Sequence, residues 1–207
     1  MAELTGSRPD TVVFDLGGVL VDWHPRYLYE SLIPDAVERE WFFAHVCTGD
    51  WIVQQDAGRP WAEANAELIG RFPAHRQLIE AFRERWLEML RGPIAESTAL
   101  LDRLHAQGVR LLALTNWAAD TYQLALPRLP LLQRFEAVLV SGEVGLVKPD
   151  RRIFDLFVQR FGVDPHASLF IDDRAANVAA AREVGFDAIE YRSAEGLAAE
   201  LSRRSLL

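Results

Sequence analysis

The sequence is poor in cysteine, in lysine and in net positive charge. It has 207 residues with one cysteine, Cys47, and one lysine, Lys148, so all but one of its 22 lysine and arginine residues are arginine. A single cysteine excludes an intrachain disulfide and a zinc cluster of the C-x-x-C or Cys/His kind. This cysteine usage fits a reducing compartment, and we expect a cytoplasmic protein.

The deficit of positive charge argues against two classes of partner. The formal net charge is -8 and the sequence pI is about 5.2. Nucleic-acid binding requires a basic face, and docking on anionic lipid requires basic clusters, so we expect neither nucleic acid nor membrane as a partner. The first ten residues, MAELTGSRPD, carry no apolar stretch, which predicts no signal peptide. No apolar run approaches the roughly 20 residues of a spanning helix.

Short apolar runs alternate with segments of helical periodicity, which predicts an α/β fold. The predicted strands cover residues 11–14, 109–114, 137–140, 168–171 and 187–190. One predicted helix begins at about residue 96 and has Gly108 at its C-terminal cap, and others lie near 118–128, 150–161, 175–184 and 194–204. Strands that are apolar throughout are typical of a parallel sheet covered on both faces. We therefore expect a doubly wound parallel sheet.

The residues after the first strand differ from this pattern and predict an inserted helical cap. An apolar stripe with helical spacing indicates a buried helix face. It consists of Leu78, Ile79, Phe82, Trp86 and Leu90. We expect residues 1–22 and 94–207 to form the sheet domain and residues 23–93 to form an all-helical cap over the carboxyl edge of the sheet, where open α/β sheets bind ligands. We assign Trp51, Trp61 and Trp86 to the interior of the cap.

Polar residues follow three of the predicted strands. Asp15, Thr115–Asn116 and Asp172–Asp173 stand at strand ends, and Lys148 lies in the loop after another strand. Because the carboxyl ends of parallel strands meet at one edge, three carboxylates come together there. Two like charges near 4 Å repel by about 4 kcal/mol at an effective dielectric constant of 20. A hard cation such as Mg²⁺, with the lysine, would offset this repulsion.

Four segments combine these polar residues with their strands: TVVFDLGGVLVD, LLALTN, GLVKPD and LFIDDRAAN, in this order between Thr11 and Asn177. Together they resemble the haloacid dehalogenase (HAD) superfamily of aspartate-nucleophile hydrolases. The resemblance implies a Rossmann-like core, and the insert after the first segment is similar to the small α-helical cap of subfamily I. It also implies a phosphatase-like activity that depends on Mg²⁺.

The resemblance implies roles for the residues that bind phosphate. Asp15 would attack phosphorus and form a phosphoaspartyl enzyme, which divides one difficult step into two. Thr115 would hold a phosphoryl oxygen, with Asn116 beside it. Lys148 would neutralise both Asp15 and the phosphate.

The resemblance also implies a set of metal ligands. Asp15 and Asp173 would bind Mg²⁺ directly, and Gly17 would offer its backbone carbonyl. Asp172 would support the metal through water. Asn177 stands where many members of the superfamily have another acid, and the sequence leaves open whether it faces solvent.

Gly17 departs from the pattern of many phosphatases in the superfamily. Those enzymes have an aspartate two residues after the nucleophile that acts as general acid and base, a contribution typically worth 10²–10⁴-fold in rate. Haloacid dehalogenases lack that aspartate, as do some sugar-phosphate phosphatases of the superfamily. Asp22 and His24 are two candidates to replace it.

The cap offers candidate substrate contacts. Gln55, Asp56, Gly58 and Arg59 are predicted to form a turn before a helix that starts at Pro60. In the superfamily the corresponding loop often selects substrate, and Arg59 could bind an anionic group. Trp117, directly after the phosphate-binding segment, could line the pocket.

Three functions fit these observations. The first is a Mg²⁺-dependent phosphatase that acts on a small phosphorylated metabolite, a sugar phosphate being one candidate. The second is a metal-independent 2-haloacid dehalogenase, which Gly17 permits but which the pair Asp172–Asp173 disfavours. The third is a non-catalytic binding protein of the same fold. We expect a monomer or a homodimer.

Overall fold

The central feature of the computed structural model, which describes residues 8–207, is a parallel sheet of five short strands. Residues 8–207 contain seven strands in all: β1 (Thr11–Phe14), β2 (Val21–Trp23), β3 (Leu90–Pro93), β4 (Arg110–Thr115), β5 (Ala137–Val140), β6 (Ser168–Asp172) and β7 (Asp187–Glu190). Five of them form one sheet in the order β5-β4-β1-β6-β7, and each neighbouring pair is parallel. This confirms the predicted fold class.

The α-helices of residues 8–207 are α1 (Arg26–Leu32), α2 (Ala36–His45), α3 (Gly49–Asp56), α4 (Trp61–Arg71), α5 (Arg76–Glu84), α6 (Ala95–Ala106), α7 (Ala119–Ala125), α8 (Ser141–Val144), α9 (Arg151–Phe161), α10 (Ala175–Val184) and α11 (Ala194–Arg203). Helices that follow β3 cover the two faces of the sheet, α6 and α11 on one face and α9 and α10 on the other. The four residues of β1 are buried, and their side chains alternate between two apolar cores. Val12 and Phe14 lie in one core, and Val13 lies in the other. Burial on both faces explains why β1 is apolar throughout.

The prediction that residues 23–93 are all helical is wrong at both ends of that segment. β2 and β3 pair antiparallel, with Val21 opposite Pro93 and Asp22 opposite Gly92. The sequence of β3, LRGP, contains glycine and proline, which are depleted in strands. The predicted helical stripe runs from Leu78 to Leu90, but α5 ends at Glu84 and Leu90 is the first residue of β3. This ribbon is where the chain leaves the sheet domain and returns to it.

The segment between β2 and β3 is built from α1 to α5 around an aromatic core. Tyr29 packs against Phe42, with ring centroids 5.2 Å apart, and Phe82 packs edge-on against Trp51 at 5.2 Å. Both phenylalanines are fully buried. Aromatic side chains of this size dominate the burial energy of a small core. The boundaries of a separate cap domain at residues 23 and 93 stay a prediction.

The helical segment contacts the sheet domain directly above the carboxyl ends of the strands. Asp120 of α7 accepts a hydrogen bond from Trp61 Nε1 at 3.0 Å and one from Arg83 Nε at 2.6 Å. Trp86 packs against Trp117, with ring centroids 5.4 Å apart. Among residues 8–207, no helix has the length and apolar character needed to cross a bilayer.

Candidate active site

Asp15 stands at the first turn beyond β1, where the strand pairing ends. Its backbone N–H donates to the Ile171 carbonyl at 2.8 Å, which places it beside the end of β6. One carboxylate oxygen accepts from the Leu16 N–H at 2.7 Å. The pKa of Asp15 is raised to about 6, mainly by burial; Lys148 acts to lower this pKa, and the Asp172 carboxylate acts to raise it. The strand end thus presents a nearly buried carboxylate at the carboxyl edge of the sheet.

The side chain of Lys148 is fully buried and reaches the same edge. Its Nζ lies 3.0 Å from Asp15 Oδ1, and it donates to Asp172 Oδ2 at 2.6 Å and to the Leu114 carbonyl at 2.8 Å. Burial alone would lower the pKa of Lys148, but Asp15 and Asp172 outweigh it, so the pKa lies above its ordinary value. The only lysine of the chain is therefore a charged group held between two strand-end carboxylates.

Asp172 ends β6 and is completely buried. Its carboxylate accepts from the Arg174 N–H at 2.9 Å and from Asn177 Nδ2 at 2.9 and 3.1 Å, in addition to Lys148. Asn177 is buried rather than facing solvent. A buried carboxylate that accepts several hydrogen bonds is held in one orientation, so Asp172 and Asn177 fix the position of the Lys148 ammonium.

Asp173 is the exposed member of the acidic group. Oxygens of Asp15, Asp172 and Asp173 all lie within 4.8 Å of one another. Gly18 leaves the space that Asp173 occupies: a Cβ there would lie 2.7 Å from Asp173 Oδ2, and the Gly18 φ of +73° is one that other residues rarely adopt. The three carboxylates predicted from the strand ends are thus brought together.

Asn116 pairs with the backbone of Lys148. Its Oδ1 accepts from the Lys148 N–H at 2.8 Å, and its Nδ2 donates to the Lys148 carbonyl at 2.9 Å. Both ends of the amide therefore bind the backbone of the loop that carries Lys148. Thr115 is buried at the end of β4, next to this pairing. Binding of substrate by Thr115 and Asn116 stays a prediction.

A cavity of about 60 Å³ lies between the helical segment and the strand ends. Its lining is mainly aromatic, with Asp56 as its one charged side chain among the described residues. The lining residues are Gly17, Trp23, Ile52, Asp56, Trp61, Phe82, Trp86, Asn116, Trp117 and Thr121. Trp117 thus lines the pocket, as the sequence suggested. Trp61 and Trp86 were assigned to the cap interior, but they also face this cavity.

The structure does not bring Arg59 to the cavity. Its guanidinium donates to Gln54 Oε1 and to Glu67 Oε2, each at 2.6 Å, and it lines a neighbouring surface depression. In this conformation Arg59 is paired away from the cavity. A contact between Arg59 and substrate stays a prediction.

The two candidates for the missing acid lie elsewhere. Asp22 accepts from the Tyr27 hydroxyl at 2.7 Å, within the ribbon that joins the two parts of the chain. His24 is exposed, and its Nδ1 accepts from the Arg26 N–H at 3.1 Å. Burial lowers the pKa of His24. Neither residue lines the cavity.

A comparison with protein-family models identifies the family of the chain. The model of the haloacid dehalogenase-like hydrolases matches residues 9–185. The chain is a member of that family. The match covers most of the chain and confirms the resemblance drawn from the four sequence segments. The chain is thus a HAD hydrolase with its buried lysine and strand-end carboxylates at the expected edge of the sheet.

Several relatives of this HAD hydrolase are phosphatases. It is 35% identical to the phosphoserine phosphatase of Thermus thermophilus over 136 residues, which are 62% of this chain and 53% of that protein; the chain thus spans about half the length of that relative. It is 26% identical to the D-ribitol-5-phosphate phosphatase of Bacteroides thetaiotaomicron over 86% of this chain and 90% of that one. A HAD-like hydrolase structure from Porphyromonas gingivalis superposes with a TM-score of 0.73 at 28% identity, covering 95% and 98% of the two chains.

Proposed function

We propose that this HAD hydrolase is a Mg²⁺-dependent phosphatase of a small phosphorylated metabolite and that it works through a phosphoaspartyl intermediate on Asp15. The observation that carries the proposal is the position of Lys148, whose ammonium contacts Asp15 and Asp172 while Asp173 stands beside them. An anionic nucleophile can approach an anionic phosphate only where positive charge is concentrated.

The donor set fits Mg²⁺. Three carboxylates share this edge, and Lys148 is the one ammonium between them, so the group is short of positive charge. Carboxylate and carbonyl oxygens are the ligands that Mg²⁺ prefers. We assign Asp15, Asp173 and the Gly17 carbonyl as its direct ligands, with Asp172 behind them. When bound, the ion would neutralise phosphate oxygens during attack.

The residues of the chain itself divide the remaining work. An Asp15 carboxylate oxygen forms a bond to phosphorus, and the bond between phosphorus and the ester oxygen breaks. Lys148 holds the Asp15 carboxylate ionised and offsets its repulsion of the phosphate. Asp172 and Asn177 hold Lys148 from behind, and Asn116 holds its backbone. Water then attacks the phosphoaspartyl group, which releases phosphate and restores Asp15.

The cavity favours a small substrate without a second anionic group. Its volume of about 60 Å³ is room for a few water molecules. No lysine, arginine or histidine lines it within residues 8–207, so a carboxylate on the leaving group would have no cationic partner. Aromatic faces beside one carboxylate suit a neutral polyol or sugar. The similarity to a D-ribitol-5-phosphate phosphatase supports a sugar phosphate.

A 2-haloacid dehalogenase is the second candidate, because Gly17 leaves the acid position empty as that chemistry permits. Its substrate carries a carboxylate, for which the cavity offers no cation. Its reaction also gives no reason to gather three acids. The non-catalytic alternative leaves the buried position of Lys148 unexplained.

Two parallel assays test the proposal. One follows phosphate release from 4-nitrophenyl phosphate with Mg²⁺ or with EDTA, and the other follows chloride release from 2-chloropropionate with EDTA. We expect phosphate release that requires Mg²⁺ and no chloride release. Metal-independent chloride release would establish the dehalogenase instead. Retained binding of phosphate esters without turnover would support the non-catalytic alternative.

A further inference from the structure

The cavity contains an open space where many related phosphatases carry their general acid. Gly17 lines the cavity, and a Cβ built on it would meet no atom within 4 Å. When the alcohol of a phosphate ester has a high pKa, its oxygen must receive a proton as the bond to phosphorus breaks. The proton therefore comes from another group or from water.

Among residues 8–207, Asp56 is the one ionisable residue that lines this cavity. It is the last residue of α3 and, like Gly17, lines the cavity. It belongs to the helical segment, and it lies near enough to Asp15 for the Asp15 carboxylate to act on its pKa. The sequence placed Asp56 in a predicted turn and assigned it no chemistry.

Hydrogen bonds between the two parts of the chain hold Asp56 in place. The Ser141 hydroxyl donates to the Asp56 carbonyl at 2.6 Å and accepts from the Trp117 N–H at 2.8 Å. The same serine thus ties the end of α3 to the loop that follows Thr115 and Asn116. A group held by two elements keeps its geometry through a reaction.

The surroundings of Asp56 keep its carboxyl partly protonated near neutral pH. Burial raises the pKa of Asp56 to about 7. The Ala118 N–H and Arg174 lower this pKa, and the Asp15 carboxylate raises it. Asp15 on the loop after β1 and Arg174 before α10 are the charged groups that act on it. A carboxyl with this pKa can both give and take a proton at neutral pH.

We propose that Asp56 is the general acid and base of this phosphatase, in place of the aspartate that position 17 lacks. In the first step Asp56 gives its proton to the ester oxygen as the bond to phosphorus breaks, and the alcohol leaves. In the second step the Asp56 carboxylate takes a proton from the water that attacks the phosphoaspartyl group. Phosphate is released, and both aspartates return to their starting states. This inference rests on the proposed function.

Two esters of similar size separate this role from a structural one. 4-Nitrophenyl phosphate has a good leaving group that needs no acid, whereas phenyl phosphate has a poor one. With Mg²⁺ present, we expect Asp56→Asn to lower kcat/KM for phenyl phosphate by about 10²–10⁴-fold and for 4-nitrophenyl phosphate by less than about tenfold. Asp56→Ser serves as a second acid-free variant, measured in the same way.

Position 17 offers a rescue that a structural role would not produce. Gly17→Asp in the Asp56→Asn background supplies an acid where the cavity is open, so we expect activity on phenyl phosphate to return at least tenfold. Gly17→Asn in the same background fills the space without an acid and should restore nothing. Asp50→Asn, on the exposed face of the same helix, should leave both esters unaffected.

The outcomes distinguish the two levels of the proposal. If the unmodified protein releases no phosphate from 4-nitrophenyl phosphate with Mg²⁺, the proposed function fails. If it does, but both acid-free variants lose activity equally on the two esters or lose none, then Asp56 is not the acid. Equal rescue by Gly17→Asp and Gly17→Asn would also overturn the assignment.

Discussion

Lys148 Nζ lies 2.6 Å from Asp172 Oδ2, and both side chains are closed to solvent. The same ammonium lies 3.0 Å from Asp15, whose side chain is slightly exposed. Of the two carboxylates that contact this ammonium, Asp172 is fully buried and Asp15 is the more exposed. Lys148 is therefore part of the sheet-edge structure, and in the proposed mechanism it is also the positive charge that attracts phosphate.

Removal of the Asp172 carboxylate should lower the free energy of unfolding. Asp172→Asn leaves Lys148 buried with one carboxylate fewer, and loss of one partner of a buried ion pair typically costs about 3–5 kcal/mol. We expect urea unfolding to show a loss in that range. Asp155→Asn, which removes an exposed pair with Arg151, should change the unfolding midpoint little. Equal effects of the two substitutions would mean that Lys148 does not depend on Asp172.

Asp173 should control the affinity for metal more than stability. It is exposed and lies with Asp15 and Asp172 in the acidic group. We expect Asp173→Asn to raise the Mg²⁺ concentration for half-maximal activity at least about tenfold, the scale of losses at metal-site positions. Titration of activity with Mg²⁺ measures this. Glu183→Gln, an exposed change on α10, is the control, and an unchanged titration for Asp173→Asn would remove Asp173 from the ligand set.

Gly18 should tolerate no side chain. Gly18→Ala puts a Cβ 2.7 Å from Asp173 Oδ2 at a φ of +73°, and a positive φ costs a non-glycine residue about 1–2 kcal/mol. We expect a lower free energy of unfolding and a weaker response to Mg²⁺. Gly49→Ala is the matched control, since its Cβ meets open space without a positive φ; it should leave both properties nearly unchanged. A fully active, equally stable Gly18→Ala protein would contradict this description of the loop.

Asp56 should make stability depend on pH. Its pKa rises from 3.8 to about 7 on folding, so the folded protein holds a proton that the unfolded chain releases. The protein therefore loses stability as pH rises from about 4 to about 7, by up to about 4 kcal/mol at 1.36 kcal/mol per unit. We expect Asp56→Asn to have a higher free energy of unfolding than the unmodified protein at pH 8. At pH 5 the two free energies of unfolding should differ less. Urea unfolding at the two pH values measures the difference, and a difference that does not change with pH would mean that Asp56 is not desolvated.

Much of the fold could be predicted because its signals are local. β1, β5 and β7 have the predicted bounds. β1 is the clearest case, because its four residues are all buried and a break follows them. The strand ends could be placed together because parallel strands share one carboxyl edge. The ribbon of β2 and β3 could not be predicted, because its pairing lies between segments nearly 70 residues apart and β3 contains glycine and proline.

The site was predicted in composition but only partly in geometry. Asp15, Lys148, Asp172 and Asp173 meet as expected. The orientation of Asn116 depends on the loop of Lys148, which lies 32 residues further along the chain, and no local pattern encodes that pairing. Arg59 lies before the Pro60 helix, as predicted, but its guanidinium pairs with Glu67. Asp56 acquires its setting only when α3 packs on Ser141, so its sequence neighbourhood held no sign of a raised pKa.

The most direct test of the central claim is detection of phosphate on Asp15. The protein is mixed with 4-nitrophenyl phosphate and Mg²⁺, quenched within one turnover and treated with borohydride, which reduces an acyl phosphate to an alcohol. Mass spectrometry of the peptide that contains Asp15 should then show homoserine at that position, and Asp15→Asn should show neither this change nor phosphate release. Phosphate release with Asp15 unmodified, or release that persists in Asp15→Asn, would contradict the phosphoaspartyl mechanism.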